Sequence, residues 1–115
     1  MDKYIKNFPF DTVVNLAGQV EVRDGEIASK TLAQNNSVSV TLFAFDKGEE
    51  ISTHESDGDA MVIALEGKGM CIVDGKEHIL NAGDSLIMPS RKPHSVHAVE
   101  QFKMMLVVIF PNERE

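Results

Sequence analysis

From about residue 35 onwards, apolar and β-branched residues fall into short runs separated by turn signals every eight to twelve residues, a rhythm of strands rather than helices. The run from Ser37 to Phe45 is rich in β-branched and aromatic residues and stops at Asp46-Lys47-Gly48. It is too short and wrongly spaced for an amphipathic helix, and it predicts a long strand. Asp59 to Leu65 and Lys68 to Val73 predict two more, broken at Glu66-Gly67, and Asp74-Gly75 supplies the left-handed dihedrals of a tight hairpin. Ala82-Gly83-Asp84 marks a further turn, Ser85 to Met88 a short strand, and Pro89 to Pro93 a loop whose prolines cannot donate to a ladder. Two strands follow, His94 to Val99 and Phe102 to Phe110, the second apolar at nearly every position apart from Lys103.

The first 35 residues carry weaker signals. Thr12 to Val14 and Ile27 to Leu32 read as strands separated by Arg23-Asp24-Gly25, and a short amino-terminal helix is a second option. About ten short strands in one small domain imply an all-β fold, either a closed barrel or a two-sheet jelly roll, since an open sheet would leave long unpaired edges. The barrel core spans about residues 37–110 of a single 1–115 domain, preceded by amino-terminal strands or an arm. An outward face of Met105, Val107 and Ile109 is too apolar for water, which predicts a homodimer.

Composition narrows the partners. The chain has 115 residues, 18 acidic against 11 basic, for a net charge of −7, so it lacks the basic patch that nucleic acid requires. The longest apolar run, Met104 to Phe110, is far too short to span a bilayer, and the charged start Asp2-Lys3 does not resemble a secretory signal. A cytoplasmic protein without nucleic-acid or membrane partners is expected. The single cysteine, Cys71, lies in an apolar run and reads as a small buried thiol.

Chemistry rests on four histidines, at 54, 78, 94 and 97. His78 follows a hairpin turn and reads as an exposed strand position. His54 ends a strand and His94 begins one after the proline loop, the places where barrel mouths are built.

Two spacings around them carry a resemblance. Gly48 is followed by five residues, His54, one residue, Ser56, three residues, Ala60, six residues and Gly67. Gly83 is followed by five residues, Pro89, one residue, Arg91, two residues, His94, three residues and Ala98. In spacing and order these resemble the two motifs of the cupin superfamily, over roughly residues 37–110, and imply a small single-domain cupin, a double-stranded β-helix. Cupins that bind a divalent metal use two His and a Glu from the first motif and a His from the second. The resemblance therefore implies His54 and His94 as metal ligands, with Ser56 and Ala60 standing where the second His and the Glu would be. Two imidazoles fall short of the three protein groups of usual catalytic sites. Three additions would complete the shell: Asp57 or Asp59 through an altered loop path, His97 through a bulge, or water and the ligand itself around Zn, Mn, Fe, Ni or Co.

If Ala60 points inward, Val62 and Ala64 do too, and all three are smaller than their outward neighbours. Phe102, Met104, Leu106 and Val108 would then form the facing wall. A pocket lined by Ser56, Ala60, Val62, Ala64, Phe102 and Met104 beneath two imidazoles suits a small oxygenated metabolite. Arg91 stands where cupins usually have Gly, as a cation for an anionic ligand or a solvated loop charge; Glu49, Glu50 and Glu55 surround His54 with acid. Three functions remain open, with no catalytic residue assigned: a binding cupin with a weak two-histidine metal, a metal-dependent isomerase, dioxygenase or decarboxylase, or an inactive barrel whose histidines are structural.

Overall fold

The computed structural model describes residues 3–112. Among them are seven strands: β1 (Ile27–Gln34), β2 (Val38–Phe45), β3 (Glu50–His54), β4 (Asp59–Val73), β5 (Lys76–Asn81), β6 (Ser85–Met88) and β7 (His94–Ile109). The only helical element among these residues is a 3₁₀ turn at Ala17–Gln19. All strand pairings are antiparallel. No helix among the described residues is long and apolar enough to cross a membrane.

The spine is the pairing of β4 with β7, from Asp59↔Ile109 to Val73↔His94. Each of these long strands changes neighbours half-way. The first half of β4 pairs with β6 and the second with β5, while β7 pairs first with β3 and then with β2, whose other edge carries β1. Two leaves result, β1-β2-β7-β4-β6 and β3-β7-β4-β5, folded over each other as a jelly-roll barrel.

This corrects the expected count of about ten strands. Glu66-Gly67 does not end a strand; it bends one. Leu65 is an extra residue in β4, and residues 99–101 of β7 face the single Lys68, so the ladder is kinked where the chain passes between leaves. Gly67 has φ of 80°, and a Cβ there would collide with the carbonyl oxygen of Gln101. The bulge also resets side-chain parity. Ala60, Val62 and Ala64 are buried before it, and Gly69 and Cys71 after it, so both halves of β4 present a face to one core. The Asp74-Gly75 turn forms as its sequence predicts, with φ of 50° and 82° and two residues between Val73 and Lys76.

The inter-leaf core contains Phe45, Val62, Cys71, Leu80, Phe102 and Met104, each at most 2% exposed. Burial in this core pushes the Cys71 thiol up to about 11, which keeps it protonated. A second cluster lies on the outside of the larger leaf. There Val20, Leu32, Leu42 and Ala44 pack with Phe8, Leu16, Val22 and Met105 beneath an irregular amino-terminal arm. Lys103 and Lys30 tie that arm down by donating to the carbonyls of Ala17 and Gln19 at 2.8 and 3.2 Å. The strand expected at Thr12–Val14 is absent. The arm instead meets the free edge of β1 earlier in its course, where Lys6 N and Asn7 Nδ2 donate to Leu32 O and Thr31 O.

Candidate functional site

β3 and β7 place His54 and His94 directly opposite one another as a cross-strand pair at the end of the smaller leaf. His94 begins the inward-facing row His94, Val96, Ala98 and is 2% exposed, whereas His54 is open to solvent. Their rings meet edge to face, with centroids 4.4 Å apart and Nε2 atoms 3.2 Å apart.

Backbone carbonyls fix both rings. Nδ1 of His54 lies 2.9 Å from Ser52 O and Nδ1 of His94 lies 3.0 Å from Lys92 O, in each case the carbonyl two residues earlier. A carbonyl only accepts, so each Nδ1 carries its proton, and in the neutral rings each Nε2 presents a lone pair to the other. Two facing lone pairs repel unless something electropositive lies between them, either a proton on one ring or a bound cation. Burial, followed by the neighbouring charge of His54, lowers the His94 pKa and favours its neutral ring.

The loops behind the pair are bound to each other. Arg91, at φ of 63°, donates its backbone N–H to Ser56 O at 2.7 Å; Ser90 N donates to Asp59 Oδ1 at 2.8 Å, and Asp74 N to Pro93 O at 2.8 Å. The main chain of Arg91 thus clamps the 55–58 and 89–93 loops, while its side chain is exposed.

The donor set tests a metal directly. With metal–nitrogen bonds of ~2.05 Å, an Nε2 separation of 3.2 Å subtends roughly 100° at an ion, suitable for two adjacent coordination positions. The remaining positions have no protein donor at hand. The Ser56 hydroxyl is engaged by Gly58 N and Gly58 O, both at 3.1 Å, and Ala60 is 2% exposed in the core. Asp59 accepts from Ser90, and Asp57 lines, with Asp59 and Phe110, a separate cavity of about 220 Å³. His97 points to the opposite face, where its Nε2 is 2.9 Å from Ser95 Oγ and its Nδ1 3.8 Å from Glu50 Oε1. Among the described residues no group of three His, Cys, Asp or Glu is placed to hold a metal. The residues present do not fit a tightly held catalytic ion.

The residues expected to line a pocket are placed as follows. Val62 and Met104 are fully buried, Ala64 is 2% exposed, and Phe102 packs its ring 5.8 Å from that of Phe45; with Ala60 they belong to the inter-leaf core. Ser56 lies in the loop beside the histidines. His78 is half-buried on β5 opposite Cys71, away from the pair. The site residues that the motifs do not reveal are Ser52 and Lys92, which act through main-chain carbonyls and so leave no side-chain signature.

The family model for the cupin domain matches residues 41–110. The chain is a cupin. Over 96% of its length it is similar, at 37% identity and a TM-score of 0.95, to a conserved protein of unknown function from Streptococcus pyogenes, 97% of which is covered. A cupin superfamily protein from Desulfitobacterium hafniense is 31% identical over 93% of this cupin and 98% of its own chain, with a TM-score of 0.89. A cupin 2 conserved barrel domain protein from Leptotrichia buccalis is 40% identical over 84% of this chain and 47% of its own, with a TM-score of 0.81. Curated proteins provide no match.

Proposed function

We propose that this cupin binds a small oxygenated metabolite, a carboxylate or enolate, at the His54–His94 pair. The observation that carries this reading is the 3.2 Å approach of two Nε2 atoms whose Nδ1 atoms are both engaged by carbonyls. A proton placed between the two facing lone pairs removes their repulsion. With that proton in place the rim of an acidic barrel is locally cationic, and an oxyanion can approach it at the exposed His54 ring. His94, held neutral by burial, serves as the fixed acceptor that orients His54. A divalent ion arriving with a chelating ligand would occupy the same two nitrogens and take its remaining donors from ligand and water.

Thermal-shift screening of small mono- and dicarboxylates and keto acids, in wild type, His54→Ala and His94→Ala, tests the reading. A ligand that binds the protonated pair raises the wild-type Tm more at pH 6 than at pH 8, and neither variant responds. Ligand shifts that persist in both variants would place binding elsewhere. Elemental analysis after loading with Zn, Mn, Fe, Ni or Co separates the alternative: near-stoichiometric metal lost in both variants would favour a metal-dependent isomerase, dioxygenase or decarboxylase over a binding protein.

A further inference from the structure

The row of side chains that holds the histidine pair continues across the smaller leaf. Directly paired residues share a face of the sheet, and the register runs His54↔His94 from β3 to β7, His94↔Val73 from β7 to β4, and Val73↔Lys76 from β4 to β5. Burial identifies the face. Cys71 and Leu80, an even number of positions from Val73 and Lys76 along the same strands, belong to the inter-leaf core. Lys76 therefore projects to the same side as the two imidazoles, and its neighbour Glu77 to the other.

The row is open at both ends. His54 and Lys76 are exposed, Val73 is half-buried, and only His94 is buried. Two strand spacings of ~4.8 Å put the Lys76 backbone roughly 10 Å from that of His94, and the four-carbon stem of the lysine reaches back over Val73. The ammonium is also uncommitted. Lys92 faces Asp74 at 3.9 Å and Lys103 faces Glu66 at 3.7 Å, whereas Lys76 enters no ion pair or side-chain hydrogen bond among the described residues. A chain with 18 acidic side chains supplies partners in excess, and this lysine takes none.

The base of Lys76 is held together with the pair. Asp74 and Gly75, both at positive φ, form the two-residue turn that fixes Lys76 opposite Val73. Asp74 N donates to Pro93 O at 2.8 Å, and the carbonyl of the preceding Lys92 holds Nδ1 of His94 at 3.0 Å, so the hairpin tip and the imidazole are bound to adjacent residues of one loop. Anchors on a common rigid frame lose less freedom when a ligand bridges them. Resting on the reading of the pair as an oxyanion site, we infer that Lys76 is its second anchor and that the ligand is a small dicarboxylate: one carboxylate meets the His54–His94 pair, the other the Lys76 ammonium, and an apolar spacer lies over Val73. The spacer sets the class. Oxalate, whose carboxylates are joined directly, cannot bridge the two positions, whereas the three methylenes of glutarate can.

Amide chemical-shift titrations of isotope-labelled protein with glutarate, butyrate and oxalate test this assignment. Wild type is expected to bind glutarate about fivefold tighter than butyrate, the size of one exposed ion pair. Lys76→Gln removes that advantage and leaves butyrate affinity unchanged, while Lys76→Arg retains it. His54→Ala loses both ligands, and oxalate gains nothing from Lys76. Lys47→Gln, in the turn before β3 and so at the end remote from His54, removes the same charge and is expected to change neither affinity. A glutarate advantage that survives in Lys76→Gln, or that is lost equally in Lys47→Gln, overturns the second anchor while the histidine site stands. A loss of oxalate affinity in Lys76→Gln as large as that of glutarate overturns the bridging ligand. Binding of neither glutarate nor butyrate to wild type, or binding untouched by His54→Ala, overturns the histidine site and this assignment with it.

Discussion

The two apolar clusters share a leaf and are closed in different ways. Between the leaves, Phe45, Val62, Phe102 and Met104 are covered on both sides by hydrogen-bonded strands. On the outside, Leu42 and Ala44 are covered by an arm with little regular structure, anchored to the strands largely by the side chains of Lys103, Lys30 and Asn7. Removing the first cover requires breaking the β4–β7 ladder. Removing the second breaks a few contacts and leaves the barrel whole, so the two regions should open with different free energies. Phe102→Ala is the strongest probe of the inner cluster. The ring is fully buried, packs at a tilt against Phe45, and lies where a Cβ on Gly69 would come within 2.6 Å, so the space left cannot close without moving backbone. A loss of about 3–5 kcal/mol in urea denaturation is expected, with a single cooperative transition.

The matching probe of the arm is Leu16→Ala. Leu16 is half-buried against the outer cluster, and its truncation is expected to cost about 1 kcal/mol. Hydrogen exchange sharpens the comparison without mutation. Amides of residues 17–22 should exchange through an opening several kcal/mol cheaper than those of β4 and β7, which report global unfolding. Equal protection in the two regions would show that arm and barrel are one cooperative unit.

The same contrast explains what could be read from the residues alone. Strand positions were legible wherever alternation met a turn signal: Ser85–Met88 and the Asp74-Gly75 hairpin are both in place. The breaks at 66–67 and 100–101 were misleading because glycine and polar residues mark bends as well as ends. Only the pairing of Gly67 with Phe102 across the kink distinguishes the two. The arm has a strand-like composition at Thr12–Val14, but strands need partners, and no local pattern says whether a sheet edge will lie alongside. Motif spacing brought His54 and His94 together from 40 residues apart. The carbonyls of Ser52 and Lys92 that set their tautomers were invisible, since every residue has one. Ala60, Val62 and Ala64 suggest a hollow when viewed along one strand; across the barrel, Phe45, Phe102 and Met104 belong to the same packed cluster.

Acid distinguishes the two regions a third way. His94 closes the end of the inner cluster, and its pKa is lowered mainly by burial, so the unfolded chain binds this proton more readily than the native one. The contribution to stability is complete above the ordinary histidine value of ~6.5 and is lost as pH falls through the lower folded value. The slope that His94 contributes to global stability is at most one proton, ~1.4 kcal/mol per pH unit, and His94→Gln should remove it. Opening of the arm, measured by exchange with the intrinsic rate corrected for pH, should not follow the same curve.

The smallest effect expected is at the other polar contact of β7, where Ser95 and His97 share a bond on the outer face, one strand position away from His94. Ser95 is 3% exposed and its Oγ lies 2.9 Å from His97 Nε2, while the ring's other nitrogen faces Glu50 at 3.8 Å. Since a neutral imidazole has one donor and one acceptor, the arrangement favours Nδ1–H towards the carboxylate and Ser95 donating to Nε2. Ser95→Ala deletes that donor but leaves Nε2 on a partly exposed ring that water can reach, so the cost should stay at about 0.5–1.5 kcal/mol. The variant separates the two histidines of β7 functionally. If ligand shifts at the His54–His94 pair survive in Ser95→Ala, the outer contact serves only the sheet; if they vanish, the two faces of β7 are coupled through the strand, and the inner pair is not an independent site.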